Sequence, residues 1–123
     1  MNELVKISIL AILIFIVDIP WLTFQKGWVT KIFENIQEGR TIYPRPWAGL
    51  PVYAALGYLV TQAHSAPRAF LLGMCTYAVY DFTQLFVFDQ YPIEFAVADT
   101  LWGGTLMAFV WWIGSRAGLV TSA

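Results

Sequence analysis

Four apolar runs, at residues 4–24, 47–63, 69–88 and 93–114, occupy most of the 123-residue chain. Each is close to the roughly 20 residues that a helix needs to cross a hydrocarbon core about 30 Å thick. In lipid only helices and closed barrels satisfy their backbone polar groups, and these runs lack the period-two alternation of a barrel strand. Charged residues make up 12% of the chain and hydrophobic ones 59%, whereas soluble domains carry about 25% charge. The chain therefore reads as an all-α, polytopic integral membrane protein. It forms one domain over residues 1–123, with four transmembrane helices and both termini on one side.

Composition also excludes some chemistries. A net charge of −1 leaves no surplus of Lys and Arg to neutralise nucleic-acid phosphates. A lone cysteine, Cys75, rules out an internal disulfide or a thiolate metal cluster and reads as a small buried apolar side chain in a helix. The single histidine, His64, falls at a turn, where an axial ligand to a haem would not be expected. No cofactor or metal is implied.

The connections carry their own signals. Run one is too long for a signal-peptide core, and Pro20-Trp21 stands where a small-residue cleavage site would be, so it is expected to be retained. Pro20 lacks a backbone donor and predicts a kink beside Asp18. Residues 25–46 turn polar, but Trp28, Ile32, Phe33 and Ile36 make an apolar stripe at helical spacing. That stripe predicts an amphipathic helix lying in the headgroup plane or on the protein's own surface, stopped by Gly39. Residues 43–47 read as an extended approach with aromatic anchors. Residues 64–68 and 89–92 read as turns, and 115–123 as a short frayed tail. Gly49, Ala54, Ala55 and Gly57 would let another helix, including one from a second copy, approach run two closely. A one-charge bias of basic residues favours a cytoplasmic first loop, and a plasma (inner) membrane is the default location.

Three carboxylates sit inside these runs: Asp18, Asp81 and Asp99. Each costs at least about 2.5–3.5 kcal/mol to insert, so intramembrane carboxylates are kept for a reason and face protein or a cavity. Asp18 is twelve residues beyond Lys6 and Asp81 thirteen beyond Arg68, which puts both about 18–20 Å deep from the side of the termini. Asp99 is seven residues beyond Pro92, about 10 Å in from the opposite side. In a core about 30 Å thick the three share one layer. Helical neighbours add Trp21 beside Asp18, Tyr77 and Gln84 beside Asp81, and Trp102 and Gly103 beside Asp99; Tyr53 on run two lies at similar depth. No Lys, Arg or His occupies the layer, so ion pairing does not explain the carboxylates. Proton exchange, cation binding and hydrogen bonding to a polar ligand group remain, beside a purely structural role in joining helices.

The segments Asp18-Ile19-Pro20-Trp21-Leu22, Tyr80-Asp81-Phe82-Thr83-Gln84-Leu85 and Asp99-Thr100-Leu101-Trp102-Gly103-Gly104 also carry a resemblance. Together with Pro44-Arg45-Pro46 they are similar to the small four-helix membrane proteins grouped as domain of unknown function 2177. The pattern D-x-x-W, Y-D-x-T-x-L and D-x-x-W-G maps onto Asp18 and Trp21, onto Tyr80, Asp81, Thr83 and Leu85, and onto Asp99, Trp102 and Gly103. Gln84 stands where that family is expected to carry Asn, and both side chains are carboxamides. The resemblance implies the fold and the place of the site; it supplies no activity.

The leading expectation is a small-molecule or ion binding or transport protein, proton-linked, with a hydrophobic or cationic ligand. Its candidate residues are Asp18, Asp81, Asp99, Trp21, Trp102, Tyr53, Tyr77, Tyr80, Thr83 and Gln84. Membrane lipids and a second copy in a homodimer are the expected partners. One alternative is an intramembrane acid and base enzyme acting on a lipid or isoprenoid, although no metal box, nucleophile elbow or phosphate loop accompanies it. The other is an accessory subunit of a membrane complex.

Overall fold

The computed structural model describes residues 1–43 and 45–122, and every regular element in them is helical. Helix α1 spans Glu3–Ile36, α2 Gly49–Thr61, α3 Ala66–Val87 and α4 Ile93–Arg116, with a 3-10 turn at Pro46–Ala48 ahead of α2. Helices α1, α3 and α4 are long and apolar enough to cross a membrane. The 13 residues of α2 rise only about 20 Å, less than the core thickness.

Helix α1 differs most from the sequence expectation. It has 34 residues, about 51 Å, and runs without a break through Pro20 into the amphipathic segment. Its start is fixed by Asn2, whose side chain accepts from the Val5 amide at 2.9 Å and fills an orphan donor. Its end turns on Glu38 and Gly39, both at positive φ, and the Gly39 amide closes on the Glu34 carbonyl at 2.7 Å, a Schellman-type stop. The stripe of Trp28, Ile32, Phe33 and Ile36 packs on the turn between α3 and α4. Ile32 is buried with Tyr91, Phe95 and Ala96, and Trp28 meets Phe95 edge-on at 5.0 Å. Of the two placements expected for this stripe, the contacts are those of a helix packed on the protein's own surface.

Two smaller differences concern the connections. The approach expected to be extended over residues 43–47 tightens into the 3-10 turn, because Pro46 sits at its first position with φ already set; the Pro44 part of that expectation lies outside the described residues. The tail folds back: the Leu119 amide bonds the Gly114 carbonyl at 2.7 Å, and Leu119 is buried in the main core.

Helices α1 and α2 form one hairpin-like pair and α3 and α4 the other. Glycine sets both internal spacings. A Cβ on Gly57 would come within 2.8 Å of the Ile7 carbonyl, and one on Gly73 would overlap the Gly103 carbonyl. Gly57 therefore faces α1, while Ala54 and Ala55 stay exposed. The pairs meet chiefly along α1 and α4, where Leu10 and Ile14 join Leu106, Met107 and Val110 in a fully buried core.

Candidate functional site

The carboxylate layer is built by helix register. Asp18 and Asp81 each lie fifteen residues beyond the first residue of their helix, about 22 Å along it, whereas Asp99 is six residues into the oppositely directed α4. All three side chains are buried, Asp81 completely.

The donors that meet them come from other parts of the fold. Trp102 on α4 donates its indole N–H to Asp18 Oδ1 on α1 at 2.7 Å. Trp21 on α1 donates to Asp99 Oδ1 on α4 at 2.9 Å. Because α1 and α4 run antiparallel, the two D-x-x-W segments oppose each other, and each tryptophan serves the other segment's aspartate. The indoles stack between these bonds, with centroids 5.8 Å apart and planes at 24°. Tyr53 on α2 completes Asp18 by donating to Oδ2 at 2.6 Å, so one carboxylate ties three helices.

Asp81 is held differently. Tyr91 in the α3–α4 turn donates to its Oδ1 at 2.8 Å, while Thr100 on α4 reaches Oδ2 at the long limit of 3.5 Å. Its carboxyl group also faces that of Asp99 on α4. Among the described residues no three His, Cys, Asp or Glu side chains converge closely enough to hold a metal ion.

The structure thus brings Asp18, Asp81, Asp99, Trp21, Trp102 and Tyr53 into one network. Tyr77 borders it through its ring, which occupies the space a Cβ on Gly103 would need. Gln84 is half-buried one turn further along α3, whereas Tyr80 and Thr83 are exposed on the outer face of that helix. Tyr91 and Thr100 join the network without having been singled out by sequence. Tyr91 lies in a turn, where helical spacing assigns no face, and Thr100 is displaced by about 100° from Asp99 around α4. Beside the network a groove of about 570 Å³ runs between α1 and α2, lined by Ile7, Ala11, Phe15, Leu50, Tyr53 and Ala54 among others.

A family model described as "Predicted membrane protein (DUF2177)" matches residues 4–116. The chain belongs to the DUF2177 family. No curated protein and no solved structure matches it. In this DUF2177 chain the matched segment contains α1 but for its first residue, all of α2, α3 and α4, the whole carboxylate network and both walls of the α1–α2 groove. With three membrane-length helices and this family, it is an integral membrane protein.

Proposed function

We propose that the chain binds a small hydrophobic molecule in the groove between α1 and α2, with the carboxylate layer reading a polar group on it. The supporting observation is the position of Tyr53. It forms part of the groove wall and at the same time donates to Asp18, so a ligand that displaced or engaged its hydroxyl would act directly on a buried carboxylate. The groove offers the apolar surface with few polar groups that small-molecule sites use, and Asp18 supplies a strong acceptor in a low-dielectric setting.

The closeness of the Asp81 and Asp99 carboxyl groups favours a proton-linked version of the same reading, in which the two share one proton. If ligand engagement at Asp18 shifts Trp102, the stacked Trp21 moves with it and changes the donor on Asp99, altering the shared proton one residue away. Binding and proton uptake or release are then coupled, the minimum needed for proton-linked transport.

Native mass spectrometry of the full chain after incubation with a total membrane lipid extract tests this reading. Wild type is expected to retain a defined hydrophobic adduct. Ala54→Trp, which fills the groove from an exposed position, and Asp18→Asn are expected to lose it with helicity unchanged. The outer-face change Trp112→Phe is expected to keep it. A bare wild-type protein, or an adduct equally retained by Ala54→Trp, overturns the proposal and leaves the aspartates as helix connectors.

A further inference from the structure

A second groove, of about 560 Å³, lies at the turn between α2 and α3, away from the carboxylate layer. Its chemistry changes with depth. At the top are His64, Ser65 and Arg68; below Arg68 on the same lining come Leu71, Leu72 and Cys75. Positions 68, 71, 72 and 75 form one stripe of a helix, which carries the groove about 10 Å inward from the guanidinium. None of the lining residues is acidic.

The mouth is also fixed in shape. Ser65 caps α3, accepting from the Arg68 amide at 3.3 Å. His64 Nδ1 lies 3.1 Å from the Thr121 carbonyl, and donates to it in the tautomer protonated at Nδ1. The contact holds the imidazole against the folded-back tail. A cationic head over an apolar slot that descends into the hydrocarbon complements one membrane component: a lipid with an anionic phosphate and an acyl chain.

We infer that this groove is a binding site for one anionic glycerophospholipid, its phosphate on Arg68 beside His64 and one acyl chain along Leu71, Leu72 and Cys75. Arg68 suits the role because its planar fork meets phosphate oxygens in pairs. The lipid would fasten the α2–α3 turn at the membrane surface and bridge the two helix pairs, independently of any ligand in the α1–α2 groove.

The full chain reconstituted in nanodiscs of equal parts phosphatidylglycerol and phosphatidylcholine, then released for native mass spectrometry, tests the inference. Wild type is expected to retain phosphatidylglycerol over phosphatidylcholine by roughly fivefold, the equivalent of about 1 kcal/mol from one basic residue at an anionic surface. Arg68→Gln should reduce this to the bulk ratio, Arg68→Lys should keep part of it, and Cys75→Trp should remove the adduct with Arg68 intact. Lys31→Gln should leave it unchanged. Arg68 is exposed, and Cys75 is exposed rather than buried as its sequence context suggests; helicity by circular dichroism checks that the variants fold. Equal retention of both lipids by wild type overturns the inference, as does an enrichment that falls equally in Lys31→Gln. Displacement of the lipid by millimolar inorganic phosphate, with Cys75→Trp binding as wild type, would show a free-phosphate site and overturn the lipid assignment.

Discussion

Replacing Trp102 with Phe isolates one bond of the α1–α4 seam. The change removes the indole N–H that meets Asp18 at 2.7 Å but leaves a six-membered ring to face Trp21. Asp18 then keeps only Tyr53, and one of its oxygens loses its donor inside the protein. Polar contacts between transmembrane helices contribute about 0.6 kcal/mol on average and up to about 1.7, whereas stranding a buried acceptor costs about 1–3 kcal/mol. The second effect dominates here because Asp18 is 4% exposed and water does not replace the donor. We expect a loss of about 2 kcal/mol.

The reciprocal arrangement adds an internal check. Trp21→Phe deprives Asp99 of its donor at 2.9 Å and should cost a similar amount, within about 1 kcal/mol. The double change should be non-additive by about 0.5 kcal/mol or more, because the two rings stack at 5.8 Å and respond to each other. Trp112 is the control: it lies on the outer surface beneath Arg116, and Trp112→Phe should stay within about 0.5 kcal/mol. Denaturant titration in mild detergent, followed by far-ultraviolet circular dichroism, measures all four. If Trp102→Phe is no more destabilising than Trp112→Phe, the indole–carboxylate bonds do not hold the seam.

Other expectations rest on separate contacts. Gly73→Ala and Gly103→Ala should each destabilise by about 1–3 kcal/mol or more, since their Cβ atoms would enter the Gly103 carbonyl and the Tyr77 ring. Gly27→Ala, with nothing within 4 Å of its Cβ, should stabilise α1 by about 0.5–1 kcal/mol in the same titration. Ile32→Ala should cost about 2–5 kcal/mol locally and release the second half of α1 from Tyr91 and Phe95; hydrogen exchange should then rise at residues 25–36 and not at 5–17. Asp99→Asn should fold as well as wild type in the same denaturant titration, because its carboxamide can accept from Trp21 and donate to Asp81.

Much of this architecture was legible because lipid narrows the choices. Run length and the absence of alternation lead to four helices, and counting residues from Lys6, Arg68 and Pro92 leads to one carboxylate depth. Helix ends were less legible. The polar shift after Phe24 points to a boundary that α1 ignores, because Ile32 finds a buried place against Tyr91 and Phe95. That tertiary contact leaves no trace in a local pattern. The partners of each aspartate were hidden for a related reason. Spacing of three places Trp21 beside Asp18 and Trp102 beside Asp99 on their own helices, yet the indoles turn away to bond across the seam. Only the antiparallel register of α1 and α4 shows that the two D-x-x-W segments oppose each other.

The two kinds of helix contact divide the work between them. Within each pair, glycine brings backbones close: Gly57 on α1, and Gly73 with Gly103 between α3 and α4. Between the pairs Gly114 on α4 meets the Leu10 side chain rather than backbone, and the bonds from Trp102 to Asp18 and from Trp21 to Asp99 cross that seam. Close glycine packing fixes a separation and resists sliding, because a small shift brings backbone into overlap. Hydrogen bonds from long indole and phenol side chains reach over a larger gap and can exchange partners while both groups stay satisfied. Any shift of the α1–α2 pair against the α3–α4 pair would have to rearrange Trp102 and Trp21 around Asp18 and Asp99 and unpack Leu10 and Ile14 from Leu106, Met107 and Val110.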